Sequence, residues 1–88
     1  MLHPVLLPKL GPQAEAVTLV AWNKAEGDLV QKGEILYEVE SSKVVNEIEA
    51  EHTGILTRIF LTEGTVVKPG AKVAEMDVAD EASEEQAS

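Results

Sequence analysis

Residues 26–33 read EGDLVQKG and residues 63–70 read EGTVVKPG. At an offset of 37 they share Glu26/Glu63, Gly27/Gly64, Val30/Val67 and Gly33/Gly70. The likeness continues more softly through Leu36/Val73, Glu38/Glu75, Val39/Met76 and Glu40/Asp77. Each copy reads as a turn, a short apolar segment, a second turn and a strand. Glycines six apart permit two sharp reversals, where a positive φ penalises other residues. One copy cannot bury its apolar face alone. Two copies facing each other across a pseudo-twofold are the economical arrangement.

The flanking sequence fits that frame. Val5-Leu6-Leu7, closed by Pro8, suits an edge strand. Val17 to Trp22 is mostly β-branched and aliphatic. In Ile35 to Glu40, Tyr37 and Val39 share one face and Glu38 and Glu40 the other. Val45 to Ala50 alternates as Asn46, Ile48 and Ala50 against Val45, Glu47 and Glu49. Ile55 to Leu61 and Lys72 to Val78 supply two more strands, and glycines, Gly54 among them, punctuate the gaps. No sustained helical stripe is present. The pattern predicts an all-β sandwich or barrel with internal pseudo-twofold symmetry.

Composition narrows the function. The 88 residues are enough for one domain with a small core. Aromatics are 3% against 44% hydrophobic residues, so that core is aliphatic. The net charge of -9 argues against nucleic acid and against an anionic membrane as partners. There is no cysteine, hence no disulfide framework or thiolate metal site. No apolar run approaches the roughly 20 residues of a membrane span, and Met1 to Pro4 does not open a signal peptide. Residues 77–88 carry five acidic groups and no basic one; residues 1–76 carry 11 acidic and 7 basic, a balance of -4. The expected organisation is a folded domain over 1–78 and an acidic flexible tail or linker start over 79–88.

The repeat also singles out one lysine. Strand 35–40 runs into Ser41-Ser42-Lys43-Val44, and its mate 72–77 runs into the tail. The turn around Lys43 therefore belongs at the end of the domain opposite the termini, exposed and far from any tether. On composition alone, Lys43 reads as an ordinary turn lysine balancing Glu38, Glu40, Glu47 and Glu49, worth about 0–1 kcal/mol.

Six motifs in order change that reading: Pro8-Lys9-Leu10-Gly11, Thr18 to Trp22, Ala25-Glu26-Gly27-Asp28 with Val30 and Gly33, Glu40-Ser41-Ser42-Lys43-Val44, Gly54 as a turn glycine, and 63–70. Over residues 5–77 the chain resembles the lipoyl domain of 2-oxo acid dehydrogenase complexes, within the biotinyl/lipoyl attachment class. The resemblance implies a barrel-sandwich hybrid: a flattened barrel of two four-stranded antiparallel sheets. It implies lipoic acid in amide linkage to Lys43, held out on a hairpin by Glu40, Ser41, Ser42 and Val44. It implies a non-catalytic carrier, part of a dihydrolipoyl acyltransferase chain. Its partners would be a 2-oxo acid decarboxylase, the acyltransferase core, dihydrolipoyl dehydrogenase, and a lipoate ligase or lipoyl transferase. The absence of targeting signals points to the bacterial cytoplasm, with a mitochondrial matrix as the alternative.

Several positions depart from the family pattern. Ser42 stands where Asp is usual, Val44 where Ala is usual, and Pro12 to Val17 replace a glycine-rich loop. In the family that loop lies near the lipoyl turn and helps choose the decarboxylase, so it bears on substrate class. Competing readings are a biotin carrier, which usually sets methionines beside the lysine, a glycine-cleavage-type lipoyl carrier, and an unmodified structural barrel-sandwich. Trp22 reads as a core or half-buried anchor. Glu47, Glu49 and Glu51 read as a solvated face. His3 and His52 are too far apart in sequence to suggest a metal site and are taken as surface histidines.

Overall fold

A computed structural model describes residues 1–10 and 16–78. The proposed tail over 79–88, and Gly11 to Glu15 of the loop, lie outside the described residues. The described chain forms eight strands: β1 (Leu2–Leu6), β2 (Val17–Trp22), β3 (Leu29–Val30), β4 (Ile35–Ser41), β5 (Val44–Glu49), β6 (Gly54–Ile59), β7 (Val66–Val67) and β8 (Lys72–Val78). They build two antiparallel four-stranded sheets, ordered β1-β8-β6-β3 and β5-β4-β2-β7. Advancing each strand of the first sheet by four, with β8 and β6 returning to β4 and β2, reproduces the second. The pseudo-twofold expected from the repeat is the symmetry of the sandwich.

The symmetry extends to backbone detail. Gly27 and Gly64 both have φ of 94°. The Gly27 N–H donates to Leu56 O at 2.6 Å and the Gly64 N–H to Leu19 O at 2.7 Å. Leu19 and Leu56 are themselves mates, so each turn is pinned to the other half's strand. The register breaks match too, between Leu19 and Ala21 on β2 and between Leu56 and Arg58 on β6. The core pairs Leu19 with Leu56, Val30 with Val67, Leu36 with Val73 and Val39 with Met76, all buried, with no buried charged residue among the described ones. Tyr37 and its mate Ala74 break the size match. The extra volume lies beside Trp22, whose ring centroid is 5.0 Å from that of Tyr37. Trp22 is half-buried and anchored by its indole N–H, which donates to Leu61 O at 2.9 Å.

Several boundaries differ from the sequence reading. β1 begins at Leu2 and ends at Leu6, so Leu7 is a buried residue just past the strand. β3 and β7 are true strands of two residues each, too short for any periodicity to announce. Gly54 is not a turn glycine. It opens β6, paired with Val30 on one side and Val78 on the other. A Cβ there would lie 2.3 Å from Asp77 O. Its requirement is close backbone approach, not a left-handed φ.

Candidate functional site

The β4–β5 ladder is the longest hairpin of the fold and runs to its tip. Ser41 pairs with Val44 and Glu40 with Val45, leaving only Ser42 and Lys43 as the loop. Both have positive φ, 50° and 68°. Two left-handed central residues are the signature of a type I′ turn, whose twist matches that of paired strands. Asn and Gly are the usual occupants. Ser and Lys here adopt a conformation that costs L residues roughly 1–2 kcal/mol each. The long ladder behind the turn over-determines it.

Connectivity places this tip. Glu49, beside Ile35 at the start of β4, is joined by residues 50–53 to Gly54, beside Val78 at the end of β8. The start of β4 and the end of β8 therefore share one end of the sandwich. A strand of seven residues then carries Ser41 roughly 20 Å away, toward the other end. Met1 stays with β8: its carbonyl accepts the Val78 N–H at 2.9 Å. Lys43 thus lies at the end of the sandwich opposite Met1 and Val78.

Lys43 is exposed, and among the described residues it makes no hydrogen bond or ion pair. The charge-balancing role suggested by its acidic flanks is not realised. Glu38 sits directly opposite Glu47, an unfavourable like-charge pair, eased on one side by Asn23, whose amide donates to Glu38 at 3.1 Å. Glu40, Glu47 and Glu49 are exposed. Val44 and Val45 beside the turn are 58% and 51% exposed. The tip is thus one free ammonium between Ser42 and Val44, followed by a second uncovered valine, above an acidic sheet face. An unpaired, exposed primary amine on a stiff turn suits covalent acylation. Its nitrogen is open on every side, and no protein contact must break first. No metal-binding group of three or more His, Cys, Asp or Glu occurs among the described residues.

Of the proposed site residues, the structure brings Glu40, Ser41, Ser42, Lys43 and Val44 onto one tip. Of the loop Pro12 to Val17, only Ala16 and Val17 are among the described residues. The sequence reading missed one convergence. His3 and His52 meet, with ring centroids 4.4 Å apart. Nothing in their spacing announces it, because the contact joins an edge strand to a connection in the other half.

A family model described as "Biotin-requiring enzyme", of the biotin/lipoyl type, matches residues 3–76. A dihydrolipoyllysine-residue acetyltransferase component of an acetoin cleaving system from Bacillus subtilis is 39% identical over 83 residues, 94% of this chain and 21% of that protein. The corresponding acetyltransferase component of the mitochondrial pyruvate dehydrogenase complex from Caenorhabditis elegans is 37% identical over 78 residues, 89% of this chain and 15% of that protein. The chain thus spans about a fifth or less of these relatives. Among solved structures, the lipoyl domain of the 2-oxoglutarate dehydrogenase complex from Azotobacter vinelandii superposes with a TM-score of 0.70 at 26% identity, covering 88% of this chain and 98% of that one.

Proposed function

The chain belongs to the biotin/lipoyl attachment family as a lipoyl-type carrier domain, and from that premise we propose that Lys43 carries lipoic acid in amide linkage for a 2-oxo acid dehydrogenase complex. One observation supports Lys43 above the other lysines. It stands alone on a two-residue hairpin tip at the end of the sandwich away from Met1 and Val78.

The domain is a non-catalytic carrier. The dithiolane supplies the acyl-transfer and electron-transfer chemistry when attached. The residues of the chain supply stiffness, reach and a surface. The ladder to Ser41 and Val44 fixes the base of the arm, so its travel lies in the lysine and lipoyl bonds and in whatever tethers the domain. Tethering raises the local concentration of the arm at each partner active site. Amide formation removes the ammonium and takes the net charge from -9 to -10, leaving the tip apolar above acidic flanks.

The partners follow from this reading: a 2-oxo acid decarboxylase, an acyltransferase core, dihydrolipoyl dehydrogenase, and the ligase or transferase that loads the arm. On this reading the domain is the lipoyl part of an acyltransferase, as in the relatives it resembles. The relatives come from bacteria and from a mitochondrial complex, consistent with bacterial cytoplasm or mitochondrial matrix.

The test is intact mass after co-expression with a lipoate ligase or a biotin ligase. A single lipoyl adduct on Lys43, absent in Lys43→Arg, is expected. A biotinyl adduct, an adduct on another lysine, or none would reject the assignment.

A further inference from the structure

We infer that His3 and His52 form a two-imidazole site for a borderline divalent metal, with Zn2+ as its probe. His3 lies on β1, the edge of one sheet, opposite Met76. His52 lies in the short connection from β5, the edge of the other sheet, to β6. The residues are 49 apart in sequence, yet their ring centroids stand 4.4 Å apart with planes at 64°. With metal–nitrogen bonds of about 2.0–2.1 Å, two imidazoles on one metal place their centroids roughly 4.5 Å apart at a right angle and about 5.2 Å apart at the tetrahedral angle. Rotation of the rings out of their edge contact and a separation of up to about 1 Å reach that arrangement.

The surroundings favour a cation. Both rings are half-exposed, so a hydrated ion can enter, exchange two waters for two nitrogens and keep the rest. Glu49 and Glu51 line the same cleft and add negative potential. Imidazole nitrogens select Zn2+, Cu2+ or Ni2+ over Mg2+, which prefers oxygen. A metal held here ties the free edge of β1 to the β5–β6 connection. It also closes the open seam between the two sheets. The site is separate from Lys43, so it stands or falls independently of lipoylation.

Thermal unfolding of the whole chain in Zn2+ tests it. Binding to the folded state alone raises Tm by roughly 10–20 °C once Zn2+ exceeds its dissociation constant about a hundredfold. That rise is expected to vanish in His3→Gln and in His52→Gln, and to be absent with Mg2+. The chain has only two histidines, so NMR of the imidazole protons gives a second readout without any substitution. Both rings shift together on Zn2+ addition. No Zn2+-dependent rise, an equal rise with Mg2+, a rise surviving either substitution, or movement of one ring alone would overturn the site.

Discussion

The carboxylate of Glu26 accepts the backbone N–H of Ile59 at 2.8 Å. Its repeat mate Glu63 accepts the N–H of Trp22, the mate of Ile59, at 3.2 Å. Each half therefore satisfies a strand-end donor of the other. This gives a physical reason for the glutamate shared by EGDLVQKG and EGTVVKPG. Hydrogen bonds to charged groups contribute more than neutral ones, less the screening of an exposed site. Glu26→Ala is expected to lower stability by about 1 kcal/mol, and Glu26→Gln by less because it keeps an acceptor. Denaturant unfolding followed by Trp22, the only tryptophan, measures both. Equal losses in the two variants would show that a neutral acceptor at this position contributes nothing.

Gly54→Ala tests close approach rather than turn chemistry. The added methyl would meet Asp77 O, and backbone cannot rotate away as a side chain can. Overpacking of this kind costs roughly 1–3 kcal/mol or more. A turn glycine without neighbours would show a smaller loss. Chemical denaturation of the variant decides between them.

The tip should gain stability when its strain is removed. Ser42→Asn keeps a short polar side chain and tolerates a φ of 50° better. A gain of a few tenths to about 1 kcal/mol is expected. Lys43→Gly should gain a similar amount while abolishing attachment. A loss in both variants would mean the turn is not strained. A gain in Lys43→Gly would show that the lysine is kept at the expense of stability, as functional positions often are.

Tyr37 supplies a pH test. Its hydroxyl is buried without a hydrogen-bond partner among the described residues. Burial first, and then the charge of Glu51, hold the phenol well above its ordinary value of 10.0. The folded state resists ionisation while the unfolded chain ionises freely. Stability is thus intact below about pH 10 and falls as pH rises further, toward the folded-state value. Tyr37→Phe should remove that alkaline loss. At neutral pH it should gain about 1 kcal/mol by deleting an unsatisfied group. Tyrosinate absorbance reads this residue alone, since it is the only tyrosine. Identical alkaline curves for the two proteins would reject the account.

Much of this architecture was legible because the repeat encodes it twice. The offset of 37 located the turns at Gly27 and Gly64 and implied the pseudo-twofold. Alternation in Ile35 to Glu40 assigned Tyr37 and Val39 to the core, where they lie fully buried. Order and spacing of motifs around Lys43 picked the tip. What escaped was set by partners distant in sequence. Gly54 is required by a carbonyl 23 residues later, and the role of Glu26 by an amide 33 residues later. The strain at Ser42 and Lys43 was hidden because neither residue type advertises a left-handed φ. β3 and β7 exist because neighbouring strands complete them, at lengths where pattern carries no signal.

The two ends of the sandwich are topologically interchangeable. At one, β4 turns into β5 through Ser42 and Lys43; at the other, β8 and β1 lie side by side as unjoined ends, with the Met1 nitrogen 3.1 Å from Val78 O. A chain rejoined by a short bridge from Val78 to Met1 and opened between Ser42 and Lys43 would keep every strand pair. The same fold would then have its open strand ends where Ser42 and Lys43 now turn. Which tip is a hairpin and which a pair of open strand ends is thus a matter of where the polypeptide is cut, and not of how it packs.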